Sequence, residues 1–398
     1  MAGGAVRDRI IGVAPKDVDV VTSARPEEVL ALFPRALPVG VSFGVVLIPS
    51  FKKEKPGEGG KVEVATFRSD GRYLDGRHPE KVVFSDEKED ALRRDFTING
   101  LFYDPVEDRL IDYVGGEDDI RRKIIRTIGN PDDRFGEDYL RMLRAIRFSA
   151  QLSFSIEPST LACVTKNAAL IRKVSGERIR EELEKILTGP DPVRGIGLLV
   201  ETGILAALFP ETLSLKTFWW EHVFRMFAAS GERSLEISLA ILFHGPSEHE
   251  DGREKERQEL LTGMAGRLRL SNLHTEKIGA ILAARPRFPG ASRLPAGKLK
   301  RFLRQPWFEE IIEFYRLESV SEGASLTDYL FCREKMNLWG PEELFPRPAL
   351  TGDSLIELGY PAGPRFKKIL YDLEEEQLEG RVRTKEEGLR WLAERYPL

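Results

Sequence analysis

The chain has 398 residues, of which 41% are hydrophobic and 31% are charged, and its formal net charge is −4. This length predicts more than one domain of an ordinary globular protein, and the slightly acidic charge excludes a protein that is basic throughout and binds nucleic acid over its whole surface. Cys163 and Cys332 are too few for a disulfide framework or a zinc ribbon, so we expect a reducing cytoplasm. No apolar run reaches the ~18 residues of a membrane span, and we expect no signal peptide.

The first part of the chain, residues 1–115, mixes strand and turn signals. Four short β-branched runs bounded by Gly, Pro, Ser or Asp predict strands: VDVV, GVVLI, VEVATF and KVVF. The segment PEEVLALF, between the first two runs, has helical spacing. The polar, glycine-rich segment KKEKPGEGG (52–60) predicts an exposed hairpin tip. Together these signals predict a head domain that contains both helices and a sheet.

After Gly129 the pattern becomes helical. Apolar residues recur at helical spacing in PDDRFGEDYLRMLRAIRFSAQL, and SGERIREELEKIL reads as an amphipathic helix that begins at a capping serine. From residue 190 onward mainly helices are predicted, with breaks at TGPDP, FHGPSEHEDG, ARPRFPGASRLPAG and WGPEELFPRP. The predicted fold class is therefore α+β, with a mixed N-terminal head followed by a long helical region.

Two aspartates lie inside the first predicted strand, in the segment KDVDVV. Because alternate strand residues point the same way, Asp17 and Asp19 are expected on one face, with Val18 and Val20 packed on the other. Two neighbouring carboxylates repel each other unless a divalent cation binds them, and oxygen ligands suit Mg²⁺. Glu63 in VEVATF is the natural third carboxylate. The alternative is a solvent-facing edge strand, which an Asp-x-Asp pair alone does not exclude.

A glycine pair precedes these carboxylates. Gly3 and Gly4 allow a tight turn that approaches a ligand closely, and AVRDRIIG after them predicts a short helix. The N-terminus of that helix and the charge of Arg7 favour a phosphate group. A glycine pair, an Arg-Asp pair and Asp-x-Asp in close succession predict a triphosphate site beside a metal site.

Six segments resemble, in order, the motifs of the class II nucleotidyltransferases, which comprise bacterial CCA-adding tRNA nucleotidyltransferases and poly(A) polymerases. The segments are GGAVRD, KDVDVVTSARPEEVLALFP, VEVATFRSDGRYLDGRHP, RRDFTINGLFYDP, GEDYLRMLRAIRFSAQL and SGERIREELEKIL. The resemblance implies a polymerase-beta-like head (1–128), a helical neck that recognises the nucleotide base (129–190), a helical body (191–290) and a tRNA-binding helical tail (291–398). It also implies template-independent transfer from CTP and ATP to a tRNA 3′ end, with two Mg²⁺ ions.

The same resemblance assigns residues to roles. Asp17 and Asp19 would bind the metals and Glu63 would complete the carboxylate set. The motif Arg93, Arg94 and Asp95 would distinguish ribose from deoxyribose, and Asn99 would touch the nucleotide together with Gly3, Gly4 and Arg7.

In GEDYLR, the resemblance implies that Asp138 and Arg141 read the base edge. Spacing supports this, because residues three apart share a helical face. A carboxylate accepts from the amino group shared by cytosine and adenine, and a guanidinium donates to a ring acceptor. Arg144 and Arg147 continue that face and would contact phosphates or acidic neighbours. A solvated, salt-bridged helix face is the alternative.

The chain departs from the family pattern in two places. Met1 lies only two residues before the glycine pair, where a helix and strand usually precede it, so support beneath the phosphate turn is in question. Many relatives also carry a His-Asp metal site in the body. Here His222 is present, but His244 is followed by Gly245 rather than Asp, so we predict a degenerate site with structural or surface histidines.

The reaction itself has competing forms: full CCA addition, addition of only C or only A, and poly(A) synthesis. The stretch PVGVSFGVVLI resembles the tRNA enzymes, and the segment before RRD has the length that permits addition of A. We therefore predict tRNA 3′-end addition, with poly(A) polymerase as the alternative. A catalytically silent RNA-binding protein would have lost the carboxylates or RRD, and an enzyme for small acceptors would not need the long helical region. Oligomeric state stays open.

Overall fold

The computed structural model describes residues 1–15, 17–39, 44–49, 61–70, 82–215, 217–245, 254–285 and 288–398. The predicted hairpin tip at 52–60 and most of the loop before RRD lie outside these residues. The chain divides into two compact units. The first comprises Met1–Leu215 with Gly266–Arg269, and the second comprises Lys216–Ala265 with Leu270–Leu398.

All the described strands belong to the first unit. They are β1 (Asp19–Thr22), β2 (Val45–Pro49), β3 (Lys61–Thr66), β4 (Arg68–Asp70), β5 (Val82–Phe84), β6 (Leu101–Asp104), β7 (Arg109–Asp112), β8 (Ile124–Ile125) and β9 (Ser155–Ile156). The four predicted strands are confirmed as β1, β2, β3 and β5. The β6–β7 hairpin was not predicted.

A mixed three-stranded sheet, in the order β1-β3-β2, forms the centre of the head. Strand β3 runs parallel to β1 and antiparallel to β2. One face of this sheet packs on the helix α2 (Pro26–Leu32), because Val46 and Val64 cluster there with Val29 of that helix. The opposite face therefore remains for the polar residues of the strands.

Residues 1–3 join this sheet to the β6–β7 hairpin. The backbone of Ala2 forms bridges with both Asp19 and Phe102, and the amide of Gly3 donates to the carbonyl of Leu101 at 2.9 Å. Ala2 is fully buried. Backbone hydrogen bonds thus support the turn at the glycine pair from both sides, although only two residues precede it.

The helices of the first unit follow the predicted pattern, with one interruption. They are α1 (Gly4–Ile11), α2, α3 (Glu87–Leu92), α4 (Gly116–Arg122), α5 (Pro131–Glu137), α6 (Leu140–Leu152), α7 (Pro158–Asn167), α8 (Gly176–Leu187), α9 (Pro192–Glu201) and α10 (Ile204–Leu208). Asp138 has extended dihedral angles, φ −153° and ψ 107°, and separates α5 from α6. The capping serine of α8, Ser175, occupies the expected N-cap position without a side-chain hydrogen bond.

The described part of the second unit is built from helices. They are α11 (Thr217–Ala229), α12 (Leu235–Phe243), α13 (Glu254–Leu268), α14 (Asn272–Ala284), α15 (Ala296–Leu303), α16 (Phe308–Glu322), α17 (Thr327–Leu338), α18 (Pro341–Leu344), α19 (Gly352–Glu357), α20 (Pro364–Leu378) and α21 (Lys385–Arg395). His222 and His244 are both buried here, so of the two predicted locations the structural one applies and the surface one does not. Across the described ranges, no helix is long and apolar enough to cross a membrane.

Candidate active site

The carboxylates come together at the start of the first strand. Asp19 opens β1, and its register partner in the parallel strand β3 is Glu63, so both side chains lie on the same face of the sheet. Both residues are exposed to solvent. Although Asp19 is accessible, the surrounding protein removes part of the hydration of its carboxyl and raises its pKa; the charge of Arg94 opposes this rise and the nearby Asp17 adds to it. The sequence therefore correctly placed Glu63 beside Asp19.

The expectation that Asp17 and Asp19 share a strand face is wrong in one respect. The strand begins only at Asp19, and Asp17 lies on the bend before it. Val18 is 36% exposed rather than packed, whereas Val20 packs against the valine cluster of the head as expected. Asp17 is nevertheless near enough to perturb Asp19, so the pair is held together by the bend and not by strand alternation.

Two guanidinium groups approach the glycine pair. Gly3 has a positive φ of 63°, and a Cβ atom there would lie 2.8 Å from Nη1 of Arg94. A Cβ atom at Gly4 would lie 3.5 Å from Nη2 of Arg7. The lack of a side chain at Gly3 therefore leaves room for Nη1 of Arg94, and glycine also tolerates the positive φ of this position. The turn and the first amides of α1 therefore lie beside two cations.

Arg93 and Arg94 are held by one buried carboxylate that the sequence analysis missed. Asp90, on α3, is 1% exposed, and its two oxygens accept from Arg93 at 2.8 Å and from Arg94 at 3.0 Å. The spacing of three and four residues was a readable signal, since such pairs share a helical face. Asp90 fixes the direction of both guanidinium groups and leaves Arg94 free to reach the carbonyl of Asn99 at 3.3 Å.

Asp95 and Asn99 lie at the centre of a buried polar network. The Asp95 carboxylate accepts from Arg144 at 2.7 Å, from the Asn99 amide at 3.1 Å and from the backbone of Phe96 at 2.9 Å. The amide oxygen of Asn99 accepts from Arg7 at 2.8 Å. Burial alone would raise the pKa of Asp95, but Arg144 and the hydrogen bonds outweigh it and lower that pKa to about 2. The network links the glycine turn to α6.

The expectation that Asp138 and Arg141 share a helical face is wrong. Asp138 lies between α5 and α6, outside both helices. Its carboxylate forms a two-pronged ion pair with Arg178 of α8, at 2.7 and 3.2 Å. Arg141 instead pairs with Glu137 and donates to the carbonyl of Arg134 at 3.0 Å. Asp138 and Arg141 are only three positions apart, but Arg178 orients the first and Glu137 orients the second.

The other two predicted arginines of α6 also have acidic partners. Arg144 pairs with Asp95, and Arg147 pairs with Glu182 of α8 at 2.6 Å. Glu182 is 3% exposed, so this ion pair is nearly desolvated. Since Arg178 and Glu182 are one helical turn apart, the same face of α8 orients both Asp138 and Arg147. The sequence predicted contacts of Arg144 and Arg147 with phosphates or with acidic neighbours, and the structure shows the acidic neighbours.

Phe148 connects these two regions through its ring. The guanidinium groups of Arg7, Arg144 and Arg147 lie 5.2, 5.4 and 4.0 Å from its centroid. Such contacts attract a cation to the ring face and are worth about 0.5–2 kcal/mol each, more when they are desolvated. The ring therefore supports cations from both the glycine turn and α6.

Comparison with known proteins agrees with the resemblance seen in the sequence. Residues 1–126 match the family described as poly A polymerase head domain, and residues 153–215 match the probable RNA and SrmB-binding site of polymerase A. The CCA-adding enzyme of Geobacillus stearothermophilus is 34% identical over 398 residues, which cover 99% of this chain and 92% of that protein. That of Geobacillus thermodenitrificans is 35% identical over 405 residues, with the same coverage.

Solved structures give the same result. The crystal structure of the Bacillus stearothermophilus CCA-adding enzyme in complex with CTP superposes with a TM-score of 0.77 at 32% identity, over 99% of this chain and 92% of the other. A Thermotoga maritima CCA-adding enzyme complexed with tRNA has the same fold, with a TM-score of 0.63 at 24% identity. Relatives this similar over nearly the whole of both chains show that the chain belongs to the family of CCA-adding enzymes.

Proposed function

We propose that this chain is a template-independent nucleotidyltransferase that adds C and A from CTP and ATP to the 3′ end of tRNA. The observation that carries the proposal is the alignment of Asp19 with Glu63, near Arg94, which also lies against the glycine turn. This arrangement supports a site in which hard oxygen ligands lie near a cationic side chain of the glycine turn. The family relationship over the full chain supplies the acceptor, since its members add CCA to tRNA.

The donor set fits a divalent cation. Asp17, Asp19 and Glu63 offer accessible carboxylate oxygens, and the pKa of the Asp19 carboxyl is raised mainly by loss of hydration, with a smaller contribution from the charge of Asp17. Oxygen-only ligands with room for water and phosphate suit Mg²⁺. We assign two Mg²⁺ ions to Asp17 and Asp19, with Glu63 completing the carboxylate set. When bound, such ions activate the attacking hydroxyl group and stabilise the leaving oxygens.

The glycine turn and its cations would bind the triphosphate. Gly3 and Gly4 leave space for phosphate oxygens, while Arg7 and Arg94 supply charge that is already oriented by Asp8, Asn99 and Asp90. Because these guanidinium groups are held before the nucleotide arrives, little side-chain entropy remains to be lost on binding. The acceptor 3′-hydroxyl then attacks the α-phosphate, and pyrophosphate leaves.

Base choice is assigned to Asp138 and Arg141, and sugar choice to Arg93, Arg94 and Asp95. Arg178 orients the carboxylate of Asp138, and a carboxylate retains acceptor capacity when it is paired. It can therefore still accept from the amino group of cytosine or adenine. Asp95 is engaged by Arg144, Asn99 and a backbone amide, so any contact with a ribose hydroxyl would have to be shared with these partners.

The four-part division into head, neck, body and tail at 1–128, 129–190, 191–290 and 291–398 remains our proposal for how these tasks are distributed. Recognition of the base falls to the neck and binding of tRNA to the tail. A cytoplasmic location is likewise proposed, since Cys163 and Cys332 are both free and buried.

The test is a panel of acceptors given each nucleotide separately: tRNA lacking CCA, tRNA ending in C, tRNA ending in CC, and an unstructured oligo(A). The proposal predicts growth of the first two with CTP and of the third by one A with ATP, with no extension of oligo(A). Long tails on oligo(A) would show poly(A) polymerase activity, and a failure of ATP to extend the tRNA that ends in CC would show an enzyme that adds only C.

A further inference from the structure

One arginine of α5 joins the segment before the RRD motif to the side chain of Arg141. This residue, Arg134, is partly buried. Its Nε donates to the carbonyl of Ile128 at 2.7 Å, and its Nη2 donates to the carbonyl of Leu92. Its Nη1 donates to both carboxylate oxygens of Glu137 at 3.1 Å. All three nitrogens of this guanidinium group are therefore engaged, each by a different residue.

The contact with Leu92 holds the backbone just before Arg93. Leu92 is the last residue of α3, and the carbonyls in the last turn of a helix lack an intrahelical donor. The amide that could continue the helix to Leu92, that of Phe96, donates instead to the side chain of Asp95. Helix α3 has no basic residue of its own in its last turn. Arg134 therefore supplies the cation that the C-terminal end of a helix favours.

The contact with Ile128 reaches the same motif from its other end. The amide of Ile128 donates to the backbone carbonyl of Asp95 at 3.2 Å, while the carbonyl of Ile128 accepts from Arg134. Arg134 therefore holds the residue before Arg93 directly, and it holds the backbone of Asp95 through a single intervening residue.

Glu137 connects Arg134 to Arg141. The Glu137 carboxylate accepts from both guanidinium groups, and Nη1 of Arg141 also donates to the backbone carbonyl of Arg134 at 3.0 Å. The side chains of Arg134 and Arg141 are 18% and 10% exposed, so dissolved salt screens these ion pairs only weakly. Both hydrogen bonds of the Arg141 side chain to described residues use Nη1. Its Nε and Nη2 atoms are therefore left for a nucleotide.

We propose that Arg134 is a positioning residue that fixes the distance between the arginine that reads the base and the motif that contacts the sugar. The inference rests on the proposed function, in which Arg141 reads the base and residues 93–95 select the sugar. A base and its ribose are joined covalently, so one nucleotide can satisfy both groups only when their separation is correct. Arg134 holds this separation before the nucleotide binds, so that a correct base also places the sugar correctly.

The competing role for Arg134 is purely structural, and its loss would then lower stability without changing the choice of base. Arg194 of α9 is the matched control, because it is also partly buried and also donates to a backbone carbonyl. It donates to the hydroxyl of Ser149 at 3.0 Å and to the carbonyl of Phe154 at 2.9 Å. These partners lie in and after the last turn of α6, whereas Arg141 lies in its first turn.

The experiment compares the full-length wild type with Arg134→Met, Arg134→Lys and Arg194→Met. Calorimetric titration gives the affinities for CTP and UTP, and incorporation into tRNA lacking CCA gives the rates with each. We expect Arg134→Met to reduce the preference for CTP over UTP by about 10-fold in both measurements, since small misplacements are costly. Arg134→Lys should lose the preference as well, because one ammonium group cannot satisfy three separated acceptors. Arg194→Met should keep it, even if its melting temperature falls as far as that of Arg134→Met.

A double variant shows whether Arg134 acts through Arg141. Arg141→Ala alone should lose the preference for CTP, and the addition of Arg134→Met should reduce it no further. A preference that Arg134→Met keeps while Arg141→Ala loses it would overturn this inference alone, and so would an additive loss in the double variant. A wild type that adds no C to tRNA would refute the proposed function instead, and the ratio of the two affinities would still test Arg134.

Discussion

The carboxylate of Asp138 accepts hydrogen bonds from both terminal nitrogens of Arg178, at 2.7 and 3.2 Å, although 40 positions separate the two residues. This ion pair is possible because Asp138 lies between α5 and α6, where its side chain faces α8. A two-pronged ion pair fixes the plane of a carboxylate as well as its position. Arg178 is therefore expected to control the direction from which Asp138 accepts a hydrogen bond.

Replacing Asp138 by Ala is expected to relax the selection of C and A over U and G. A site that rejects the wrong base does so mainly by leaving buried polar groups unpaired, and removal of Asp138 abolishes that penalty. Arg178→Ala should produce a similar but weaker effect, because it leaves the carboxylate present but not oriented. The measurement is misincorporation of UTP and GTP into tRNA lacking CCA.

Arg121→Ala is the control for this experiment, because Arg121 is exposed on α4 and pairs only across one turn with Glu117. It should behave like the wild type. An unchanged base preference in Asp138→Ala would show that other residues recognise the base and that the ion pair with Arg178 is purely structural.

The pairing of Asp95 bears on the choice of sugar. If Asp95 accepts a hydrogen bond from the ribose 2′-hydroxyl, Asp95→Ala should reduce the preference for ATP over dATP, because the relative rate of dATP incorporation should rise. If Asp95 only holds Arg144 and Asn99, the variant should lose activity with both nucleotides equally. Steady-state competition between ATP and dATP separates these outcomes, and an unaltered ratio counts against sugar sensing.

The same carboxylate makes stability depend on pH. The pKa of Asp95 is about 2 in the folded chain, below the ordinary 3.8, so its ion pair contributes fully above pH 4 and is lost as pH falls towards 2. The difference corresponds to about 2 kcal/mol, at about 1.4 kcal/mol for each pKa unit. Urea unfolding should show that Asp95→Asn is less stable than the wild type by this amount at pH 6, with a smaller gap at pH 3. A gap that is constant with pH would refute the assignment.

Gly3 and Gly12 offer a matched pair of substitutions. Both have positive φ, 63° and 83°, so an alanine at either position costs about 1 kcal/mol in backbone strain. Only at Gly3 would the new methyl group collide with Arg94, because nothing lies within 4 Å of a Cβ atom at Gly12. We expect similar losses in melting temperature but a much greater loss of nucleotide affinity in Gly3→Ala, as measured by titration with ATP. Equal affinities would contradict the role of this turn.

Local sequence patterns predicted the elements of the site better than its contacts. Strands β1 and β3 and helix α1 could be predicted from the sequence, because runs of valine and a glycine turn are local signals for them. The helical register of Asp138 was predicted wrongly, since periodic apolar residues continue across a break that only the backbone at position 138 reveals. The partnership with Arg178 had no local signal, because it depends on how α6 packs against α8. By contrast, the ion pairs of Asp90 with Arg93 and Arg94 could have been predicted from their spacing of three and four residues.

The proposed chemistry depends most on Asp17 and Asp19, at the start of strand β1. The most direct test is the rate of incorporation of labelled CTP into tRNA lacking CCA by Asp17→Asn and Asp19→Asn, measured together with tRNA binding. Asp118→Asn is the control, since Asp118 is an exposed carboxylate on α4 that pairs with Arg122. We predict that turnover is abolished in both site variants while tRNA binding is retained, and that the control matches the wild type. Robust turnover by Asp19→Asn would contradict the role of Asp19 as a ligand of the catalytic metal.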